Sequence, residues 1–310
     1  MLRRVGSLCM RAAGLRLWLL LAGGAQASLV LKDLPANAKR LLLNIGSNVN
    51  PILPPDDDEA VITVAFEPVV FSQITPHKRL YVVPAAVSNE SGLTTMVAYN
   101  HGLSASLGAP AIRQAALETW RSDAPQTVVV PVVTMASVLA GIRGDLAIWF
   151  LKTDAQGLDF TILAAAGLAL QRIQYVLVEV WLSGVYSYDG PSNDYCQDIL
   201  PLMLARGFEP TSLSAASGAE MHLAHYTNRT KAEVAHNRFF FSGGGEEAAR
   251  EYCERELRLM GGKIERRSGI REANAYFKFR KALISEPPLG MHKHFKSGDA
   301  PHKATSHRHR

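Results

Sequence analysis

The sequence predicts an α/β protein with a Rossmann-like, mostly parallel sheet that ends in a C-terminal antiparallel hairpin. Two observations carry this expectation. From Arg40 onward, short apolar, β-branched runs alternate with helical stretches, the rhythm of βα units around a parallel sheet. Most of those runs are apolar on both alternations, as central strands covered on two faces must be. A chain of 310 residues that is 47% hydrophobic can bury one such core. The expected organisation is a leader over 1–27, one domain over 28–284 and a basic, His-rich tail over 285–310.

The expected buried strands are Leu41 to Ile45, Ala60 to Phe66, Leu80 to Val83, Leu146 to Lys152 and Val176 to Val180. Between the last two, Phe160, Leu163, Ala164 and Gly167 recur at helical spacing and predict a helix over Leu158 to Leu170. The stretch from Ser88 to Val133 breaks the rhythm with two antiparallel candidates, Leu93 to Tyr99 and Thr127 to Val133. Cys196 to Arg206 reads as a helix closed by Gly207. Met221 to Tyr226 and Arg238 to Phe241 read as the terminal hairpin, and Glu246 to Met260 as a charged amphipathic helix. The Pro, Gly, His and Lys composition after Ser285 gives no basis for an ordered core.

The formal charge of +5 sits at the ends. Residues 1–27 contribute +4 and residues 285–310 contribute +3, which leaves the body at −2. A near-neutral body without a Lys/Arg stripe argues against a nucleic-acid groove. In the leader, four arginines precede the run Leu17 to Ala22 and the small residues Ala25-Gln26-Ala27, the layout of a secretory signal peptide with an A-x-A cleavage site. The apolar run is short for a membrane span, so membrane contact is expected only through an uncleaved leader. An Arg-rich mitochondrial transit peptide is the alternative. Outside the leader, Cys196 and Cys253 read first as two reduced core residues, with a disulfide pair as the alternative. The sequons Asn89-Glu90-Ser91 and Asn228-Arg229-Thr230 fit a lumenal route.

The chemistry concentrates at strand ends. Leu41 to Asn48 is a strand running into a tight turn at Gly46, where backbone can approach a ligand. The strand Val61 to Phe66 ends in Glu67, 21 residues after Gly46, where a carboxylate can take both ribose hydroxyls of an adenosine cofactor. The turn Gly46-Ser47-Asn48-Val49-Asn50-Pro51 lacks two of the three glycines of a pyrophosphate fingerprint. Pro54 and Pro55 also oppose a long helix after it. S-adenosylmethionine has no phosphate and does not need that cradle, whereas a nicotinamide oxidoreductase does. A third cluster, Lys152, Asp154, Gln156 and Asp159, surrounds Gly157 after the fourth strand; the two aspartates there also suit a helix N-terminus. Asp56-Asp57-Asp58 precedes its strand and reads as a solvated turn. The five tail histidines lack the companions of a metal site.

Taken in order, Asn44-Ile45-Gly46-Ser47-Asn48, Ala65-Phe66-Glu67-Pro68, Ala85-Ala86-Val87-Ser88, Leu151-Lys152-Thr153-Asp154-Ala155-Gln156-Gly157-Leu158-Asp159 and Val178-Glu179-Val180 resemble the FkbM family of methyltransferases, in its eukaryotic methyltransferase-like branch. The resemblance covers about residues 40 to 210. It implies a class I methyltransferase fold and methyl transfer from S-adenosylmethionine, usually to a hydroxyl oxygen of a small molecule or glycan. On that pattern Asn44, Gly46, Asn48, Glu67, Ala86, Val87 and Gln156 surround the cofactor. Asp154 is the expected base or acceptor-orienting group and Lys152 its electrostatic partner, with His101 and His225 in reserve. The family usually carries Asp where Asn44 stands and Glu at the positions of Gln156 and Asp159. Those exchanges keep open a second reading, a cofactor-binding pseudoenzyme or interaction protein with the same fold.

Overall fold

A computed structural model describes residues 31–99, 104–106, 109–110, 126–182, 188–189, 193–215, 239–260 and 272–280. The strands are β1 (Arg40–Ile45), β2 (Val61–Phe66), β3 (Leu80–Val83), β4 (Ala86–Ser88), β5 (Gly92–Tyr99), β6 (Ser104–Ser106), β7 (Ala109–Pro110), β8 (Gln126–Thr134), β9 (Ala147–Thr153), β10 (Ile173–Trp181), β11 (Tyr188–Asp189), β12 (Phe208–Ala215), β13 (Phe239–Ser242) and β14 (Glu272–Phe279). The α-helices are α1 (Met135–Gly141), α2 (Asp159–Ala165), α3 (Leu200–Ala205) and α4 (Gly245–Met260).

The main sheet has the order β13-β12-β14-β10-β9-β1-β2-β3. Strands β3, β2, β1, β9 and β10 run parallel, and β14, β12 and β13 follow with antiparallel pairings. The chain leaves β1 toward β2 and β3, then returns to build β9 and β10 on the other side. The gap between the carboxyl ends of β1 and β9 is therefore the point where strand order reverses, the place where open α/β sheets bind ligands.

Alternation sorts the side chains of the parallel strands onto two faces. Leu41, Leu43 and Ile45 of β1 join Val176, Val178 and Val180 of β10 in the larger core. Among the described residues, helices α1 to α4 pack there, through residues such as Leu139, Leu163, Met203 and Tyr252. The opposite face carries Leu42, Phe150, Tyr175, Leu177 and Tyr276, with Ile52 of the Pro-rich loop against them. Burial on both faces explains why β2 is buried at all six positions.

The five expected parallel strands are present, each within three residues of its predicted bounds at either end. A smaller sheet of order β4-β8-β5-β6 contains the expected antiparallel pair, β5 against β8. The predicted helix over Leu158 to Leu170 divides at Gly167, whose φ of +57° ends α2 and starts a 3₁₀ segment, Gly167–Arg172. The predicted helix over Cys196 to Arg206 begins as a π-helical turn, Tyr195–Ile199, capped by Asp194, which accepts from the backbone N–H of Cys196 and Gln197. Gly207 closes it at φ +85°. Of the expected hairpin, Met221 to Tyr226 lies outside the described residues, and Phe239–Ser242 pairs with β12. The leader, the tail, His101, His225 and Asn228 also lie outside them.

Cys196 and Cys253 form a disulfide with their Cα atoms 5.4 Å apart, which corrects the expectation of two reduced core cysteines. It joins the π-helical turn to α4 across 57 residues of sequence. Cross-links of this kind stabilise a fold by roughly 2–4 kcal/mol. The triplet at 56–58 is more than a solvated turn: Asp58 pairs with Arg40, and the buried Arg79 donates to the carbonyls of Pro55, Asp58 and Val61.

Candidate functional site

Gly46 is required where it stands. Its φ is +68°, and a Cβ built on it would lie 2.0 Å from the carbonyl oxygen of Asp154. The two turns are locked together, because Asp154 N–H donates to Ile45 O at 3.0 Å and Gly46 N–H donates to Phe66 O at 3.0 Å. That close approach sets the floor of a solvent-open cleft at the carboxyl ends of β1, β2 and β9. Gly46, Asn48, Glu67, Ala86, Val87, Asp154 and Gln156 all line it, as do Ala155, Leu158 and Met96.

Glu67 is buried and rigidly held. Its Oε2 accepts from Asn48 N–H at 2.8 Å, and its Oε1 accepts from Val69 and Val70 N–H at 2.9 and 3.2 Å. A carboxylate has about four lone-pair positions, so about one remains, on Oε2. In this arrangement Glu67 can bond one ribose hydroxyl in full and a second only by sharing, against the two full bonds expected from the sequence. Asn48 sits at φ +50°, a strained backbone conformation that brings its N–H onto Glu67.

Across the cleft, Asp154 accepts from Lys152 Nζ at 3.2 Å through Oδ2 and from Gln156 Nε2 at 3.1 Å through Oδ1. Lys152 is buried and approaches the cleft only through this ion pair; it does not line it. Asn44 is also buried and off the lining: its Oδ1 accepts from Ile52 N–H at 2.9 Å and anchors the Pro-rich loop, while its Nδ2 finds no partner. An aspartate there would lack that orphaned donor.

Below the cleft lies a buried pair that the sequence did not reveal. Asn193, fully buried, donates to Asp159 Oδ2 and to Glu179 O, and accepts from Phe160 N–H. Asp159, also fully buried, accepts from Ala155 N–H at 3.1 Å, which fixes the turn that carries Asp154 and Gln156. Burial, and then the charge of Asp154, pushes the Asp159 carboxyl up to about 7. The folded chain thus holds a proton there that the unfolded chain releases nearer pH 4, and the associated stability is lost as pH rises through about 7. The only sequence signal for Asn193 is that it precedes the cap Asp194. Glu179 belongs to the resembling pattern, but its bond to Gln156 crosses 23 residues and is not readable from spacing.

Among the described residues no group of three or more His, Cys, Asp or Glu is placed to hold a metal ion, and no helix is long and apolar enough to cross a membrane. A family model, the methyltransferase FkbM domain, matches residues 44–210, more than half of the chain. No curated protein and no solved structure matches.

Proposed function

The chain belongs to the FkbM methyltransferase family, and we propose on that premise that it transfers a methyl group from S-adenosylmethionine to a hydroxyl oxygen of a small molecule or glycan. The observation that carries this reading is the convergence of Gly46, Glu67 and Asp154 on one cleft at the strand-order reversal. The donor set fits the cofactor: the two charged side chains that line the cleft, Glu67 and Asp154, are both acidic, which suits a cationic sulfonium better than a pyrophosphate. When bound, S-adenosylmethionine would supply an activated methyl group on a positively charged sulfur.

In this reading Glu67 and the Gly46 to Asn48 turn hold the adenosine end, with Ala86, Val87 and Met96 against it. Asp154 orients the acceptor hydroxyl and takes or directs its proton, and the ammonium of Lys152 steadies the negative charge that remains. Tritiated-methyl transfer from S-adenosylmethionine into a lysate, fractionated into protein, lipid and glycan, tests it. Donor binding in calorimetry without labelling of any fraction would favour the pseudoenzyme reading instead.

Glu67→Ala is expected to weaken donor binding by roughly 1.5–3 kcal/mol, the scale of hydrogen bonds to a charged group, because it removes a ligand contact and frees the Asn48 N–H together. Calorimetry with S-adenosylmethionine reads it. An unchanged dissociation constant removes Glu67 from the binding half of the site.

The secretory route is part of the proposal. The disulfide supports an oxidising compartment, and Asn89 is exposed, as a glycan acceptor has to be. A glycosidase-sensitive mass shift that disappears in Asn89→Gln is expected. Import of a fusion of residues 1–35 into mitochondria would overturn this route.

A further inference from the structure

Helix α2 begins without a cap of its own. Its N-cap residue, Leu158, has no side-chain acceptor to offer the unpaired N–H groups of the first turn. An acceptor comes from 33 residues further along the chain, where Asn193 Oδ1 receives the Phe160 N–H at 2.8 Å. The other end of the same amide is committed as well. Its Nδ2 donates to Glu179 O at 2.8 Å and to Asp159 Oδ2 at 3.2 Å, and the backbone oxygen of Asn193 receives the Trp181 N–H at 2.8 Å. The amide fits only one way round, because a flip would set its NH₂ against the Phe160 N–H and its oxygen against the Glu179 carbonyl. Asn193 thus fastens the start of α2 to the end of β10, and neither it nor Asp159 lines the cleft.

Asp159 passes that constraint on to the cleft. Its Oδ1 receives the Ala155 N–H at 3.1 Å, so the residue after Asp154 is tied to the helix start that Asn193 fixes. We propose that Asn193 is a positioning residue for the chemical half of the cleft: through Asp159 it sets where the turn that carries Asp154 stands relative to the bound donor. The inference rests on the role proposed for Asp154. A displacement of about 1 Å in a reacting group is enough to cost about a hundred-fold in rate. Glu67, assigned to the donor, is held by the N–H groups of Asn48, Val69 and Val70, and none of those bonds passes through Asn193 or Asp159. Loosening the link should therefore reach the chemistry and spare the donor.

The test cuts the link at each end. Asn193→Ala removes the anchor. Asp159→Asn breaks the link at nearly constant volume: both carboxyl oxygens receive donors, so an asparagine there must set its NH₂ against the Ala155 N–H or against Asn193 Nδ2. Assays at about pH 6 keep Asp159, whose carboxyl is pushed up to about 7, mostly protonated in the parent and take its charge out of the comparison. Arg172→Met is the control. It removes bonds to Leu139 O and Ile142 O beside the start of β10, the end of the sheet remote from the cleft, and should lower stability without lowering turnover. In labelled methyl transfer at saturating donor, each of the other two variants should lose about ten-fold or more in turnover, with the S-adenosylmethionine dissociation constant within about three-fold of the parent. The double variant should stay within about three-fold of the worse single, because both changes cut one connection. Losses that multiply in the double variant, turnover in Asn193→Ala no lower than in Arg172→Met, or affinity falling as far as turnover each overturn the positioning role. Amide hydrogen exchange over residues 154–160 needs no activity: it should quicken about ten-fold or more in Asn193→Ala and in Asp159→Asn, and match the parent in Arg172→Met. If the parent transfers no methyl group, the proposed function falls and exchange alone decides, an unchanged rate overturning the anchor.

Discussion

Gly46→Ala is expected to destabilise the chain by roughly 3–5 kcal/mol and to abolish donor binding, the largest effect of any single methyl group in the site. Two costs add. Alanine at φ +68° occupies a left-handed conformation that L residues adopt at a cost of about 1 kcal/mol. The added Cβ would also overlap the Asp154 carbonyl at 2.0 Å, and that carbonyl belongs to backbone that cannot step aside while Asp154 N–H bonds Ile45 O. The turns after β1 and β9 must separate, which opens the floor of the cleft and moves Asp154 away from Glu67. Gly243→Ala isolates the steric part. Gly243 has a similar φ of +80° but nothing within 4 Å of its would-be Cβ, so it should lose only about 1 kcal/mol. Denaturant unfolding and calorimetry on both variants read the difference. Equal losses would mean that the close approach at Gly46 is not what shapes the cleft.

Gly46, Glu67 and Asp154 were legible because each follows a short, mostly apolar strand, and strand ends are where a parallel sheet meets its ligand. What escaped was set by contacts across long stretches of sequence. β14 is buried on both faces, with Ala273, Ala275 and Phe277 in the larger core and Tyr276 in the opposite one. Its inward residues include two alanines, which carry little β signal, and the strand is fixed by pairing with β10 and β12. β12 contains Pro210, which argues against a strand until the register shift between Pro210 and Ser212 shows it at a bulge. Asn193 is the sharper case. By itself it reads as the residue before a cap. Its meaning depends on Asp159, which the fold brings alongside.

Asp154→Asn is expected to lower turnover by about a hundred-fold or more while S-adenosylmethionine affinity changes by only a few-fold. The carboxylate touches Lys152 with one oxygen and Gln156 with the other, and both partners are donors. Asparagine must therefore aim its own NH₂ at one of them. If that is Lys152, a buried ammonium loses its counter-charge, a change that costs about 3–5 kcal/mol when a buried pair is broken outright. A stability loss will thus accompany the chemical one, and the two have to be separated. Lys152→Met breaks the same ion pair and keeps the carboxylate in the cleft, so it should share the loss of stability and lose less turnover than Asp154→Asn. Labelled methyl transfer at saturating donor, with calorimetry and thermal unfolding on the same preparations, makes the comparison. Equal turnover in the two variants would reduce Asp154 to a partner of Lys152. Should Asp154→Asn abolish donor affinity while Glu67→Ala leaves it intact, the binding and chemical halves of the site are reversed and this division of the cleft fails.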